Sequence, residues 1–346
     1  MSNTKVIGGE YEINTNICKS GVYNQFGGGD FYASGRAALF HIIRSIITNQ
    51  PAINNVLIPD YICDSVVETL NDAEIKWTVY HLNQNLTINR KEFENVDFNT
   101  SVILLVNYFG LSNQAPEIAY IRSLNENAYI IEDNVQSCYS MFQESDSDYR
   151  FTSFRKSLPL PDGGWVLSKH PMVKAKESEN TFTQYKVAGS ILKSMRKNGY
   201  YGDEVYLHLL EQGEELINNN YTTSISRFTK DSLPQIDINR LASIRCRNAE
   251  YLIKQLDVLG IRPIMPVEEN HIPLFLPIRL ENRNKIRRAM FAENIYCPVH
   301  WPFTEKFTDD FVLGKQLAQE ELSLIVDYRY TITDIKRIIQ VIKENL

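Results

Sequence analysis

The sequence predicts an α/β fold with a large domain on a mostly parallel sheet and a smaller C-terminal α/β domain. Three observations carry that expectation. Short apolar runs that read as buried strands, at 55–59, 101–106 and 129–131, alternate with helix-length segments through the first half of the chain. These runs end in polar or aromatic residues at spacings that suit strand-helix units rather than hairpins. A long helical segment, 236–256, then leads into a second group of strand and helix patterns.

Residues 1–33 form the expected N-terminal arm, rich in glycine and aromatics and without a periodic segment. Gly27-Gly28-Gly29 reads as a tight turn, because a phosphate loop would need a preceding strand and a following Lys-Ser/Thr. The large domain is expected over 34–235. Ser34-Gly35-Arg36 opens the apolar helix 37–47, whose free amides and positive dipole end suit an anion. Arg36 either adds a bidentate phosphate contact or is a solvated first-turn arginine. His41, within the apolar face, reads as a core histidine.

A strand (55–59), a loop (60–64), a helix (65–71) and a strand (75–80) follow, then the strand 101–106 ending at Asn107-Tyr108-Phe109-Gly110. Pro116 starts the next helix. The next strand runs into Glu132-Asp133-Asn134-Val135-Gln136. Strand-end loops at 59–64, 107–110 and 132–136 are expected to share one crevice. An aspartate there could keep a pyridinium nitrogen protonated, with Gln136 bonding a second ring substituent; the plainer reading is a helix cap at Asp133 or Asn134.

Residues 151–167 parse as strand, basic turn and strand. Lys156 could attack a carbonyl as a Schiff-base amine if burial or a neighbouring cation lowers its pKa; otherwise it is a surface lysine beside Arg155. The charged stretch 171–216, with Tyr185, Tyr200, Tyr201 and Tyr206, reads as a helical excursion or interface, and 218–233 as turn-rich. The long helix and small domain occupy 236–346, with a strand at 271–280, a helix at 283–293, the segment 296–302 and a closing helix from Ile332.

Composition excludes several classes. A net charge of -6 leaves no basic footprint for nucleic acid, so small molecules or proteins are the expected partners. Cys18, Cys63, Cys138, Cys246 and Cys297 are scattered without CxxC spacing, which argues against a disulfide framework or zinc site and for reduced thiols in a cytosol. No apolar run approaches the roughly 18 residues of a membrane span, and the N-terminus lacks a signal-peptide pattern. A cytoplasmic location with no membrane partner is expected.

The order of these motifs resembles that of the DegT/StrS-type nucleotide-sugar aminotransferases, fold type I enzymes that use pyridoxal 5'-phosphate (PLP), over most of the chain. SGRAAL resembles the family's SGTxAL, VLIPDYICDSVV its VIxPxxTFxAT, LLVNYFG its PVHLYG, and IIEDNVQS its VIEDxAQA. TSFRKSLPLPDGG resembles FSFxxxK followed by a GEGG turn, and NIYCPVHWPF the late histidine-containing segment. The resemblance implies Asp133 on the pyridine nitrogen, Gln136 on the ring hydroxyl, Gly35, Arg36 and Ser153 on the phosphate, and Lys156 on the aldehyde carbon. It further implies a homodimer moving an amino group from an amino acid, expected to be glutamate, to a keto-sugar nucleotide in surface polysaccharide or secondary-metabolite sugar synthesis.

The departures are specific. Arg36 replaces the phosphate-site threonine, and Asn107 a histidine. Cys63 stands at the ring-stacking aromatic, leaving Tyr61 or Tyr108 as stacker. Lys156 follows Ser153 by three residues where the family has five, but precedes the first of the two glycines by seven, as in the family. SISRF replaces a glycine-containing loop that reaches the neighbouring subunit's cofactor, with Ser226 and Arg227 as weak counterparts. Arg227, Arg329 or His300 could engage a carboxylate or phosphate. The alternative reading is a non-catalytic relative that binds PLP or a nucleotide sugar as regulator or scaffold. A dehydratase with histidine in place of the lysine ranks last, since no histidine stands between 151 and 168.

Overall fold

The computed structural model describes residues 5–13, 26–177, 180–196 and 203–346. Cys18, Tyr200, Tyr201 and part of the N-terminal arm lie outside the described residues. The chain opens with β1 (Ile7–Gly8) and β2 (Asp30–Tyr32), followed by α1 (Gly35–Asn49) and the unit β3 (Asn55–Pro59), α2 (Asp64–Asp72) and β4 (Lys76–Tyr80). Next come β5 (Ser101–Val106), α3 (Ala115–Leu124), β6 (Tyr129–Asp133), β7 (Tyr149–Ser153), the one-turn helix α4 (Phe154–Ser157) and β8 (Gly164–Ser168).

Seven of these strands form one sheet in the order β2-β8-β7-β6-β5-β3-β4. The five strands from β4 to β7 are parallel, while β8 and β2 close the edge antiparallel. Every residue of β5 is buried, which is why SVILLV reads as an unbroken apolar run rather than an alternating one. Parallel pairing puts the carboxyl ends of β3, β5, β6 and β7 on one edge, and the polar residues after each strand gather there.

Helices α5 (Thr181–Arg196) and α6 (Asp203–Asn218) pack as a pair over the region where the sequence shows poor apolar periodicity. Their contact explains that. A Cβ on Gly189 would meet Leu210 Cγ at 2.8 Å, and one on Gly213 would meet Lys186 Cγ at 2.8 Å. The pair is built on two close backbone approaches and a buried lysine, not on an apolar stripe.

After α7 (Arg227–Ser232), the long α8 (Ile238–Val258) is capped by the Asp237 side chain, which accepts from Arg240 N–H. It buries Leu241, Arg245, Ala249, Leu252 and Leu256 along one face at helical spacing. The small domain adds β9 (Phe275–Arg279), α9 (Arg283–Ala292), β10 (Ile295–Tyr296), α10 (Val312–Glu320), β11 (Glu321–Ile325) and α11 (Ile332–Asn345). β11 pairs antiparallel with β9, and β10 pairs parallel with β1. Ile7 therefore packs into the small-domain core although it begins the chain. α10 and β11 occupy a stretch for which the sequence supplied no reading.

Candidate active site

A cavity of about 520 Å³ opens at the carboxyl edge of the sheet, between the start of α1, the arm and the small domain. Gly35, Arg36, Asp133, Gln136, Ser153 and Lys156 all line it. These residues span more than a hundred positions of sequence, and the parallel topology brings them together.

The anion end is built from α1. Ser34 accepts from Ala37 N–H at 3.1 Å, which leaves the amides of Gly35 and Arg36 without an intrahelical partner. A Cβ on Gly35 would lie 3.1 Å from Ser153 Cβ, so glycine is what lets the β7 end approach the helix start. Arg36 borders the cavity, with Nη1 3.1 Å from Glu68 on α2. Gly164 completes this corner: a Cβ there would strike Ser34 carbonyl oxygen at 2.2 Å. The Gly-Gly pair thus seats the β7-α4-β8 hairpin, and with it Lys156, against the helix start.

Asp133 ends β6, and one carboxylate oxygen accepts from Val135 N–H at 2.8 Å. Among the described residues no cation pairs with it, and burial pushes its carboxyl up to about 7. Gln136 accepts from Phe109 N–H at 3.0 Å through its side-chain oxygen, which fixes the amide and leaves its nitrogen end for a ligand. Lys156, on α4, keeps its surface open to the cavity while protein surrounds it at longer range. Burial and Arg155 lower its pKa, against the opposing pull of Cys63, Glu214 and Glu10.

Tyr61 is a correction. It does not line this cavity; its buried ring packs between Tyr108 and Trp301, and its hydroxyl donates to the carbonyl of His300. Tyr108 is likewise tied down, donating to Tyr61 carbonyl oxygen at 2.5 Å. The loop after β3 turns Cys63, not either tyrosine, toward the cavity. Burial raises the Cys63 thiol, and the nearby Lys156 charge opposes this.

Sequence reasoning missed an ion network beside Lys156. Arg155 donates to both oxygens of Glu214 at 2.6 and 2.7 Å, and the buried Lys186 joins Glu214 at 2.7 Å to Glu10 at 2.9 Å. Burial opposes ionisation of Glu214, but these cations overcome it and hold the carboxyl well below its ordinary range. The small-domain wall was only partly foreseen. His300 lines the cavity, with Nδ1 2.7 Å from Ser323 Oγ. Arg329 also lines it, but is already paired with Asp327 at 2.8 Å. Arg227 has 94% of its side chain exposed and pairs with Asp231 on its own helix. The signal available for Glu321 and Ser323 was two polar residues set against the apolar run of β11.

No family model and no curated protein matches the sequence. Solved structures do match its shape. The Spr1654 protein of Streptococcus pneumoniae in its PMP form, described as a sugar aminotransferase, superposes with a TM-score of 0.70 at 14% identity, covering 98% of this chain and 97% of that one. The fold is fold type I. A DegT DnrJ EryC1 StrS aminotransferase from Brucella abortus gives 0.60 at 15% identity over 91% of this chain and 85% of its own. The E. coli GDP-4-keto-6-deoxy-D-mannose-3-dehydratase with bound hydrated PLP gives 0.60 at 16% identity, covering 92% and 88%. The likeness covers nearly the whole chain, so it takes in both the seven-stranded sheet and the C-terminal strands and helices.

Proposed function

We propose that this chain is a PLP-dependent aminotransferase that moves an amino group from an amino acid, with glutamate the expected donor, to a keto-sugar nucleotide. The observation that carries the reading is the meeting of Lys156 and Asp133 in one cavity with the α1 start. The fit is tested by Asp133: a buried carboxyl without a cation beside it is what a protonated pyridine nitrogen requires. The Gly35-Ser153 corner, with its unpaired amides, suits the phosphate. Bound there, the pyridoxal ring would supply an electron sink when the substrate's Cα–H bond breaks.

The chain's own groups divide the remaining work. Asp133 would hold the ring nitrogen, Gln136 the ring hydroxyl, and Gly35, Arg36 and Ser153 the phosphate. Lys156 would present its amine to the aldehyde carbon and would be the group placed to move the Cα proton. The lowered pKa of Lys156 favours the neutral amine that this attack needs. Cys63 is small where the resemblance implies an aromatic ring, so one ring face would be covered by a thiol. We read the protein as a homodimer in cytoplasmic sugar metabolism, in which the exposed Arg227 would face the second subunit. The non-catalytic reading rested on the shortened lysine turn, and the location of Lys156 inside the cavity weighs against it.

Purified protein mixed with PLP, trapped with borohydride and mapped by mass spectrometry should carry the adduct on Lys156, and Lys156→Ala should lose it. An adduct that survives in Lys156→Ala, or no adduct in the unmutated protein, overturns the assignment. Glutamate added to the loaded protein should be consumed with release of its keto acid.

A further inference from the structure

On the wall facing Lys156, three side chains form a hydrogen-bonded line that the proposed function does not use. Ser323 Oγ lies 2.5 Å from Glu321 Oε1 and 2.7 Å from His300 Nδ1, and the other Glu321 oxygen accepts from His300 backbone N–H at 2.7 Å. Glu321 and Ser323 are fully buried in β11, and His300 borders the cavity. A carboxyl and a hydroxyl inside an otherwise apolar strand are costly to bury; here the hydroxyl meets the His300 imidazole, and the carboxyl meets that hydroxyl and the His300 backbone N–H.

We propose that Glu321, Ser323 and His300 form a proton relay between the cavity beside Lys156 and the buried Glu321 carboxyl. Ser323 has one hydroxyl proton. While it donates that proton to the Glu321 carboxylate, His300 Nδ1 must be the donor to Ser323 Oγ, and Nε2 is the acceptor. In the forward step Nε2 takes a proton from a donor in the cavity, such as the Lys156 ammonium. Nδ1 passes its proton to Ser323 Oγ, and Ser323 passes its own to Glu321. The lysine N–H, the Nδ1–H and the serine O–H bonds break; an Nε2–H, a new serine O–H and a glutamic acid O–H form. Ammonium and carboxylate are both neutralised, and the imidazole ends neutral with its tautomer reversed.

The electrostatics agree with this geometry. Burial and the Lys156 charge push His300 down to about 3, so the ring passes a proton without keeping it. Burial pushes Glu321 up to about 8, against hydrogen bonds from Ser323 and His300 N–H and the charges of Arg283 and Arg287. The other groups facing this site are Arg279, opposite Glu321 on β9, and Tyr61 and Cys297, both of which feel the Glu321 charge. Naming Lys156 as the donor rests on the proposed function; the relay itself does not.

The test is made on the cofactor-free full chain with nitrogen-15-labelled histidine, reading the ring tautomer by two-bond nitrogen-proton NMR. His300→Gln assigns its signals among the six histidines. From about pH 6 to 10 the ring should stay neutral, passing from Nδ1–H to Nε2–H as the pH falls through about 8. Glu321→Gln and Ser323→Ala should each make the tautomer independent of pH, and Ser323→Thr, which keeps the hydroxyl, should restore the switch. A charged imidazole in that range, an unswitching parent protein, or a switch that survives in Ser323→Ala overturns the relay. If Glu321→Gln does not fold, the parent and the two Ser323 variants still decide. A tautomer switch without PLP capture at Lys156 would leave the relay standing and remove the proposed function.

Discussion

Two buried aspartates border the same cavity from opposite walls, and their neighbours give them opposite characters. Asp133, at the end of β6, has a backbone amide for a partner, and burial pushes its carboxyl up to about 7. Asp327, just after β11, accepts from Arg329 Nε at 3.0 Å, Arg329 Nη2 at 2.8 Å and Arg329 backbone N–H at 3.0 Å. Burial pushes Asp327 up as well, but the Arg329 charge and hydrogen bonds overcome it and leave the carboxyl below its ordinary value. The guanidinium in turn lies 4.5 Å over the Tyr11 ring and reaches Glu10 carbonyl oxygen at 3.0 Å. An acid with its cation already in place ties the arm to the small domain. An acid without one has its charge still to be matched by a ligand.

The largest effect should come from breaking the matched pair. Asp327→Asn leaves Arg329 buried with only neutral acceptors and the more distant Glu12, and should cost about 3–5 kcal/mol, read as a lower urea midpoint at pH 7. The folded pKa of Asp327 lies below its unfolded value near 3.9. Its contribution is therefore complete above that value and lost as the pH falls through the folded pKa, so parent and variant should converge in acid. Equal midpoints at pH 7 would mean that the pair does not hold the arm.

Asp133→Asn should move stability the other way. In the cofactor-free protein the folded pKa of Asp133 is raised, so its protonated form is favoured and stability falls as the pH rises from about 4 to about 7. Replacing the carboxyl with an amide removes that penalty. The variant should be more stable than the parent at pH 8, by on the order of 3 kcal/mol, and equal to it near pH 4. PLP capture should weaken at the same time. A variant that is less stable than its parent at pH 8 would mean that Asp133 is a structural acid like Asp327.

What the sequence revealed follows the same division. On the large-domain wall the candidates Asp133 and Gln136 follow a strand whose polar end is legible from local pattern, whereas Gly35 and Arg36 open α1 and the resemblance alone pointed to Ser153. Lys156 was legible from one side only, through its spacing to Gly163, next to the Gly164 that approaches Ser34; its spacing to Ser153, which packs against Gly35, departs from the family pattern. Tyr61 failed because aromatic character says nothing about direction, and this ring turns into the core. On the small-domain side the contacts join segments far apart. Tyr11, Arg245 and Arg329 meet through chain separations of more than two hundred residues in two of their contacts, which no local period encodes. The α5-α6 pair was obscure because Gly189 and Gly213 replace the apolar stripe on which periodicity depends.

Arg36 offers the smallest expected effect on stability and the finest test of the two walls. Sequence left it as either a phosphate contact or a solvated first-turn residue, and the structure gives it features of both. It borders the cavity, yet its partner Glu68 also pairs with Lys306, with both Arg36 and Glu68 about a quarter exposed at 24% and 28%. A pair this wet contributes less than about 1 kcal/mol, so Arg36→Gln should barely move the urea midpoint. A charged hydrogen bond to phosphate is worth about 1.5–3 kcal/mol, so the same change should weaken retention of PLP by about tenfold or more. Competition with inorganic phosphate separates the contributions: phosphate should displace PLP from the unmutated cofactor corner and lose most of that ability in Arg36→Gln. If the variant keeps both affinities, the guanidinium serves Glu68 alone, and the anion end consists of the α1 amides and Ser153.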